Sequence, residues 1–500
     1  MTQFPWLSAL VFVPLIGALI AGVVSVKRAA SVGLATSLAT AFVAGLLVWR
    51  VIDDGPQSEP LGGWRAPLGI ELYADGLSAL MVAMVAIVAT FVSLFAVGYF
   101  GASKKGRRRH HEGFFWSIWL MVWASLNGVF VSGDLFNLYV CMELMGLGSV
   151  ALIAVAGPIA LRAAMRYLLV TISGSLLYLT GVAFIYGGWG RLDIAGLGPL
   201  MEATAASEVA LAMMTVGLIL KTALVPLHFW LPAAHANAPA PVSAVLSALV
   251  VKASFYILVR LWVDVFDVID TERAAMGLAV LGTVAIVWGS VQALRQQRLK
   301  MLVAYSTVAQ IGYLFVAFWP ATTEEGADVV WHGVIYFAVA HGCAKGAMFL
   351  SAGAIAVCLG SDHFSALRAA GTKVAFPLFS FALAGVGLMG LPPSGGYTAK
   401  WLFLSAAARA GQPEVAIVVT VGGLLTALYV FKVVYFAFAH PAEQEQEVTT
   451  PQRQVAHSMT WAAFLLALVS VGLGLWSYLP LSLLDVGLPF GESLATGLKP

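Results

Sequence analysis

Charged residues are scarce in this chain of 500 residues. Asp, Glu, Lys and Arg make up 10% of the positions, whereas 60% are hydrophobic. Soluble globular domains carry about 25% charged residues, so the composition excludes that class and favours a membrane protein. The formal net charge is only +2. Nucleic-acid binding would need a clear basic excess, and we therefore expect no nucleic-acid partner.

Cysteine is also rare. The three cysteines, Cys141, Cys343 and Cys358, lie in apolar stretches and form no CxxC or CxxxH pattern. Isolated cysteines of this kind are typically small buried hydrophobic residues, and the spacing predicts no iron–sulfur, zinc or haem site. The chain also lacks a P-loop and a GxGxxG turn after a strand. We therefore expect no cofactor and no metal site.

Long apolar runs are abundant. A membrane-spanning helix needs about 20 mostly apolar residues, and fourteen such runs predict an all-α polytopic membrane protein. The first run has no basic leader and no cleavage site of small residues, so we expect it to be retained as a helix. In chain order, spans 1 to 14 cover approximately residues 4–26, 30–52, 74–100, 114–132, 134–156, 163–186, 208–230, 242–263, 274–293, 299–319, 330–357, 374–408, 413–439 and 456–478.

Two of these spans contain helix breakers. Span 7 contains Pro226 and is followed closely by Pro232, and span 12 contains Pro392-Pro393 followed by Gly395-Gly396. Because proline lacks a backbone donor and clashes with the preceding turn, we expect each of these spans to consist of two shorter helices around an unwound segment.

The positions of the two broken spans predict an inverted repeat. They lie five spans apart, and an odd offset means that the two units cross the membrane in opposite directions. Lys221 of span 7 then corresponds to Lys400 of span 12, and Lys252 of span 8 to Lys432 of span 13. The chain divides accordingly into 1–113 (spans 1–3), 114–263 (first repeat, spans 4–8), 274–439 (second repeat, spans 9–13) and 440–500 (span 14 and tail).

Lysine and arginine in the short loops predict the orientation, because they favour the cytoplasmic side. We therefore expect a cell membrane protein (plasma or inner membrane) with both termini outside. The loop 440–455 fits less well, with three glutamates against Arg453, and the basic stretch 104–111 is expected to contact lipid headgroups or a neighbouring subunit. The basic loops hold Lys27-Arg28, Lys104 to Arg109, Arg162 with Arg166, Arg295 with Arg298 and Lys300, and Arg368 with Lys373; the acidic loops hold Asp53-Asp54, Asp193, Asp264 with Asp267 and Asp270, and Glu324-Glu325.

Ionisable residues inside the spans are the main functional signal. Lys221 closes a long apolar stretch, and a lysine inside a membrane helix is energetically expensive. Glu143 lies about ten residues into span 5 and is its natural counter-charge. If the two residues pair, neutralising one changes the proton affinity of the other, as a pump or antiporter requires. The alternative is a static ion pair that only fixes helix packing.

Four further residues extend this row, and a row of this kind predicts a path for protons or small cations. Lys252 is deep in span 8, and a buried lysine can accept and release a proton, although snorkelling to an interface is the alternative. His341 and Lys345 are one helical turn apart in span 11, where a histidine suits a shuttle but can also be a satisfied core residue. Lys400 follows the break in span 12, where it can release protons or cap a helix end.

Several other polar residues give weaker signals. His228 and His235 lie at the expected cytoplasmic end of span 7 and suit proton entry or packing, but lack the further ligands a metal site would need. His332 lies nine residues before His341. For Lys432, a role in transport and snorkelling toward an interface are the two competing interpretations. Asp134 is expected to cap the N-terminus of span 5.

Taken in order, these motifs resemble the antiporter-like subunits shared by respiratory complex I, membrane-bound hydrogenases and Mrp-type multisubunit cation/proton antiporters. The resemblance covers about residues 70–440. It implies fourteen helices, inverted five-helix repeats and a relay that matches Glu143, Lys221, Lys252, His341, Lys345 and Lys400. The segments that carry it are GDLFNLYVCMEL (133–144), KTALVPLHFWLPAAHANAPAPVSAVLSALVVKASFYILVR (221–260), HGCAKGAMFLSAG (341–353) and GLPPSGGYTAKW (390–401).

Within that family the chain looks most like the D-type component of an Mrp antiporter, on the segment GGWRAPLGIELYADGLSALM (62–81). The segment STVAQIGYLF (306–315) also resembles the complex I and hydrogenase paralogues. The resemblance implies an ion-transporter subunit rather than an enzyme, partnered by other membrane subunits, lipid, protons and a monovalent cation such as Na+. The alternative interpretation is that the chain is the non-redox, proton-pumping subunit of a respiratory oxidoreductase or hydrogenase.

Overall fold

The computed structural model describes residues 4–101, 107–439 and 454–487, and in 107–113 the backbone alone. Helices that correspond to all fourteen predicted spans are present, and spans 7 and 12 each form two pieces. In chain order the helices of seven or more residues are α1 (Trp6–Val23), α2 (Val26–Asp54), α3 (Gly76–Gly101), α4 (Arg107–Phe130), α5 (Leu135–Ala154), α6 (Pro158–Trp189), α7a (Ala205–Thr222), α7b (Leu231–Asn237), α8 (Ala240–Val265), α9 (Glu272–Arg295), α10 (Leu299–Val316), α11 (Glu324–Leu359), α12a (Ala375–Met389), α12b (Gly395–Arg409), α13 (Pro413–Phe438), α14 (His457–Leu475) and α15 (Tyr478–Leu484).

The all-helical membrane fold predicted from the sequence is confirmed. Among the described residues, twelve helices are long and apolar enough to cross a bilayer, and two shorter apolar helices, Phe114–Phe130 and Ala375–Met389, accompany them. A helix satisfies its own backbone groups, which is why such segments are stable in lipid. The main correction concerns span 7: its helix ends at Thr222, and the second piece continues to Asn237, beyond the predicted end.

Both predicted breaks are present. α7a ends before Ala223, which has a left-handed backbone (φ 65°), and α12a ends before Gly390, which has φ 80°. A left-handed residue after the last turn is a common way to stop a helix. The prolines that follow cannot donate backbone hydrogen bonds, so the helices restart only at Leu231 and Gly395.

Helices α8, α10 and α11 form the centre of the bundle. The most apolar stretch of α8 is completely buried, and those of α10 and α11 are 89% buried. At the periphery, α13 exposes apolar side chains at successive turns, including Leu424, Leu428 and Phe431. Such a surface is suited to lipid, so the buried ionisable groups on α8 and α11 lie away from the membrane-facing surface.

The sequence did not predict the small sheet in the loop 53–73. Strands β1 (Gln57–Pro60) and β2 (Glu71–Ala74) pair antiparallel. The hairpin is fixed to the end of α4, because Tyr73 donates its backbone N–H to the carbonyl of Val131. Four-residue strands with prolines beside them carry little periodic signal, which explains why the pattern was missed.

Two expectations reach beyond the described residues. The basic stretch 104–111 was expected to be a loop; residues 107–111 instead form the first turns of α4, and residues 104–106 lie outside the described part. The acidic loop residues 440–453 and most of the tail predicted after span 14 also lie outside it.

Candidate functional site

Glu143 and Lys221 form an ion pair between α5 and α7a. Lys221 Nζ lies 3.3 Å from Glu143 Oε1, and the Ser175 hydroxyl of α6 donates to the same oxygen. The lysine side chain is 4% exposed and the glutamate 20%. Gly174 makes this approach possible, because a Cβ there would lie 3.0 Å from Lys221 Cγ. The structure therefore contains the pair that the sequence suggested.

The break in α7 is closed by an aromatic side chain. Trp230 donates its indole N–H to the Leu220 carbonyl at 3.1 Å, and its ring stacks on Tyr167 of α6 with centroids 4.4 Å apart. The Leu220 carbonyl near the break is thus occupied by the indole, which holds the end of α7a beside Lys221.

Lys252 is fully buried within a distorted part of α8. Residues Leu246–Val250 form a π-helical turn, and Lys252 Nζ donates to the carbonyl of Ser247, five residues earlier. A side chain bonded to its own helix in the interior does not reach an interface, so the snorkelling alternative is wrong for this residue. The Ser247 hydroxyl also bonds the Thr307 hydroxyl of α10 at 2.9 Å.

Lys345 lies on the side of α11 that faces α10, one helical turn after His341. Lys345 Nζ donates to the Val303 carbonyl at 3.2 Å and to the Ser306 hydroxyl. His341 is 2% exposed, and within the described residues neither of its ring nitrogens has a hydrogen-bond partner. It is thus not the satisfied core histidine considered as an alternative, and its ring stacks on Phe337.

His341 also lies near three of the predicted relay groups, Lys252, Lys345 and Lys400. His235, on α7b, is similarly placed among Lys300, Lys345 and Lys252. An imidazole with free nitrogens in such a position can accept a proton from one side and return it to another.

Lys400 crosses the break in α12. Its Nζ donates to the carbonyls of Leu388 and Met389, both at 3.0 Å, and it lies 4.7 Å from the centroid of the Tyr313 ring. Lys400 thus caps the C-terminal end of α12a, as one of the two sequence interpretations expected. Capping does not exclude proton release, and the second role stays a prediction.

Sequence reasoning missed the polar face of α10. Ser306 accepts a hydrogen bond from Lys345. The adjacent Thr307 bonds Ser247, whose carbonyl accepts from Lys252.

The same face of α10 also contacts α13. One turn after Ser306, Gln310 donates to Thr426 at 3.0 Å and to the Tyr429 hydroxyl at 3.1 Å, both on α13. The signal was the spacing of polar residues in STVAQIGY (306–313), which ends at the tyrosine beneath Lys400. α10 therefore joins the surroundings of Lys252, Lys345 and Lys400.

The structure refines the position of Lys300. The sequence listed it with the basic loop residues and also at the start of span 10; it belongs to the first turn of α10 and is 8% exposed. Its ammonium group donates to the Ala238 carbonyl, at the end of α7b. The nearby Arg298, which pairs with Asp362 at 3.0 Å, is the residue that faces the surface.

The weaker candidates are distributed differently. His235 is completely buried, stacks on Phe349 of α11 and has no hydrogen-bond partner for either ring nitrogen in the part of the chain described. His228 lies in the unwound segment and is only partly buried. The structure therefore brings His235, and not His228, toward the row of lysines.

Three further residues have local roles. His332 bonds the Asp328 carbonyl and lies 3.1 Å from Asp485 Oδ1. Lys432 donates to the carbonyls of Leu294 and Gln296, both at 2.7 Å, and so caps α9. Asp134 accepts from the Asn137 N–H at 2.7 Å, which confirms the predicted N-cap of α5.

Comparison with known proteins gives consistent matches. Residues 132–426 match the family described as "NADH:quinone oxidoreductase/Mrp antiporter, TM", and residues 64–110 match "NADH-Ubiquinone oxidoreductase (complex I), chain 5 N-terminus". The chain is 32% identical to NADH-quinone oxidoreductase subunit N of Desulforudis audaxviator (86% of this chain, 85% of that protein). It is 27% identical to the D-type component of the Na(+)/H(+) antiporter of Bacillus subtilis (87% and 86%). A chain in the Mrp complex of Dietzia sp. DQ12-45-1b superposes with a TM-score of 0.85 at 25% identity, covering 98% of each chain.

Proposed function

The chain belongs to the family of antiporter-like, proton-translocating membrane subunits shared by Mrp antiporters and complex I, and we propose that it is the proton-translocating D-type component of a multisubunit Na+/H+ antiporter. Members of this family work within multisubunit membrane complexes, so the functional unit is the complex. The residues proposed to carry the proton are Glu143, Lys221, Lys252, His341, Lys345 and Lys400, with His235 added from its position.

The observation that carries the proposal is the Glu143–Lys221 ion pair together with a set of buried bases in the same bundle. A lone ion pair of 3.3 Å would suit a structural role. Here it is followed by three buried lysines and two histidines whose ring nitrogens are free of protein partners in the described residues. Buried polar groups without partners are rare in native proteins and call for a functional explanation.

The proposed mechanism is a series of charge-coupled transfers. When Glu143 takes up a proton, its negative charge is lost, and Lys221 no longer has a counter-charge in a poorly hydrated site. Lys221 then passes a proton toward Lys252. His341 and the hydroxyl groups of α10 relay it to Lys345 and then to Lys400, where it leaves the protein. Return of Glu143 to the charged form resets Lys221.

The energy for cation export comes from the membrane potential. Moving one charge across 100 mV is worth about 2.3 kcal/mol, so exchange of more protons than cations can drive the cation outward. The Bacillus subtilis relative is named as part of a Na(+)/H(+) antiporter, and that name supports Na+ as the second ion.

A second candidate is the proton-pumping membrane subunit of a respiratory oxidoreductase. The 32% identity with a subunit N favours it, because that relative is named as part of a NADH-quinone oxidoreductase. The relay would be the same, but electron transfer in other subunits would drive it. The chain would then be a non-redox subunit of an enzyme.

We also propose the two inverted units 114–263 and 274–439 as the structural basis of the relay, flanked by 1–113 and 440–500. The matching breaks in α7 and α12 support this division, since each first half ends before a left-handed residue. The proposed setting is a plasma or inner membrane, with the basic loops in the cytoplasm and both termini outside.

Purification of the native complex tests the proposal. We expect small antiporter subunits, no flavin and no iron, together with Na+-dependent proton movement in everted vesicles. Flavin, iron and quinone-reductase subunits in the same particle would reject the antiporter and support the second candidate. A complex that moves neither protons nor cations under either driving force would reject both.

A further inference from the structure

Helix α8 carries a polar stripe that extends from Lys252 beyond the relay. Lys252, Tyr256, Arg260 and Asp264 recur at every fourth position. Residues four apart lie on one helix face, and each step rises about 6 Å. Lys252 is completely buried, whereas the Asp264 side chain is 25% exposed at the end of the helix. The stripe therefore runs from the relay to the protein surface.

Arg260 occupies the middle of this stripe and is held on several sides. Its Nη2 donates to Asp75 Oδ1 at 2.5 Å and to the Ser78 hydroxyl at 3.1 Å, both at the start of α3. Its Nη1 donates to Asp264 Oδ2 and its Nε to the Tyr256 hydroxyl, each at 3.1 Å. The arginine side chain is only 7% exposed, so its position is set by these contacts.

Arg260 and Tyr256 both line an acidic cavity. Its volume is about 1090 Å³, and its walls include the end of α8, the start of α9 and strand β2. Among the described residues that line it, Arg260 is the one lysine or arginine. Carboxylates in a cleft raise the local concentration of protons and cations. The acidic lining residues are Glu71, Asp75, Asp193, Asp264, Asp267, Asp270 and Glu272.

Tyr256 is the residue of the stripe between Arg260 and Lys252, and it also lines the cavity. Its hydroxyl bonds the Ser78 hydroxyl and the Phe130 carbonyl, both at 3.0 Å. A hydroxyl can both accept and donate a proton, and so can a carboxyl group such as Asp264. Without the guanidinium, the cavity carboxylates and the Tyr256 hydroxyl would form the start of a proton path along the stripe toward Lys252.

We propose that Arg260 is a proton seal, a group that stops protons from passing between the acidic cavity and Lys252. This inference rests on the proposed function. A guanidinium has five donors, no acceptor, and remains protonated, so it cannot take part in stepwise proton transfer. Positive groups also exclude protons and cations from narrow pathways. Asp75 and Asp264 fix the guanidinium across the stripe, and protons leave the relay by another route.

The competing explanation is that Arg260 only fastens α8 to α3. Both explanations expect some loss of stability when the arginine is replaced. Only the seal predicts a proton leak that passes through Lys252.

The test compares Arg260→Gln with Arg260→Lys in the intact complex, reconstituted in vesicles with an entrapped pH-sensitive dye and no transported cation. Glutamine both donates and accepts hydrogen bonds but is uncharged, whereas lysine keeps the positive charge although it can release its proton when buried. Both variants lose the planar guanidinium group. Under an imposed potential we expect Arg260→Gln to raise passive proton entry by roughly tenfold. Arg260→Lys should leak clearly less, because its charge still repels protons.

The double variant Arg260→Gln with Lys252→Met decides the route. We expect it to return the leak to the basal level, because the path through Lys252 is removed. Three results would each overturn the seal: a leak that persists in the double variant, equal leaks in the glutamine and lysine variants, or an assembled Arg260→Gln complex that shows no leak.

Asp264→Asn is the fallback if Arg260→Gln fails to assemble, because it removes the more exposed of the two carboxylates that hold the guanidinium. We expect a smaller leak that also depends on Lys252. The absence of a leak in this variant would overturn the seal too.

The proposed function and the seal fail separately. Loss of ion movement in the unchanged complex would reject the former. Normal exchange in the unchanged complex, with any of the overturning results above, rejects the seal alone.

Discussion

The Lys400 ammonium group lies 4.7 Å from the centroid of the Tyr313 ring. The lysine is 6% exposed and the tyrosine 1%. A cation held against an aromatic face gains about 0.5–2 kcal/mol, depending on its desolvation. The ring thus stabilises the charged form of Lys400, as the carboxylate of Glu143 does for Lys221. Unlike a carboxylate, the aromatic face does not itself bind a proton.

This relationship gives the first prediction. Tyr313→Phe keeps the aromatic face and should keep most of the exchange rate, whereas Tyr313→Leu removes it and should slow exchange by roughly tenfold, the effect of about 1.4 kcal/mol on a rate. Cation-driven proton movement in everted vesicles is the measurement. Equal rates in the phenylalanine and leucine variants would mean that the ring is only packing.

Lys400→Arg is the second prediction. Arginine keeps the positive charge and can still donate to the carbonyls at the end of α12a, but it hardly releases a proton. We expect assembly as in the unchanged complex and transport reduced by roughly 100-fold, the usual contribution of one acid–base group. Full transport in this variant would show that Lys400 is a helix cap alone. Lys432→Arg is a matched control, because Lys432 also caps a helix end.

The third prediction concerns the Glu143–Lys221 pair. Glu143→Ala or Lys221→Ala should abolish exchange in everted vesicles while the complex still assembles. The double variant Glu143→Gln with Lys221→Met leaves no unpaired charge, so it should be more thermally stable than either single neutral variant. It should nevertheless remain inactive. Exchange restored in the double variant would identify a static ion pair. Glu208→Ala, which changes an exposed glutamate of α7a, serves as the control.

A fourth prediction tests the polar face of α10. Gln310→Leu removes the bonds to Thr426 and Tyr429, and Ser306→Ala removes the hydroxyl partner of Lys345. We expect each to slow exchange by roughly tenfold with little change in assembly, because proton transfer requires donors and acceptors within hydrogen-bond reach. Ser125→Ala is the control: this buried α4 hydroxyl donates to the Val122 carbonyl of its own helix. If all three variants behave alike, α10 does not contribute to the relay.

The fifth prediction concerns packing beside Lys221. A Cβ at Gly217 would overlap the Gly174 carbonyl oxygen, so Gly217→Val must separate α6 from α7a. Overpacking of this kind costs about 1–3 kcal/mol, and we expect a lower melting temperature and weaker exchange. Gly45→Ala on α2 meets no atom within 4 Å and should leave both unchanged or slightly improve stability. A Gly217→Val complex as stable as the unchanged one would contradict the close helix approach.

Much of the fold could be read from the sequence because lipid imposes simple rules. Apolar runs of sufficient length gave the spans, and Pro226 and the Pro392-Pro393 pair marked the breaks. Where each half-helix restarts could not be read, since that depends on contacts such as the indole of Trp230 reaching Leu220 from ten residues away. The strands of the loop were missed for a related reason, because their pairing is fixed by contacts with the end of α4.

The site was less predictable than the fold. The sequence identified the charged residues of the row, because a charge within an apolar run is conspicuous. It could not show that Lys300 turns inward, because the position reads equally as a loop or a first helical turn. Ser306, Thr307 and Gln310 were also overlooked, since uncharged polar residues are tolerated in membrane helices for many reasons. Their role becomes evident only from their spacing on α10 together with the hydrogen bonds between Gln310 and α13.

The π-helical turn at Leu246–Val250 has a consequence for the whole of α8. Such a turn accommodates one residue more than a regular turn, and one residue corresponds to about 100° of rotation. Because the wide turn absorbs its additional residue locally, deleting a single residue there should restore a regular turn and leave Tyr256 and Arg260 facing α3. A deletion between this turn and Tyr256 could not be absorbed in the same way, and it would rotate Tyr256 and Arg260 away from Ser78 and Asp75.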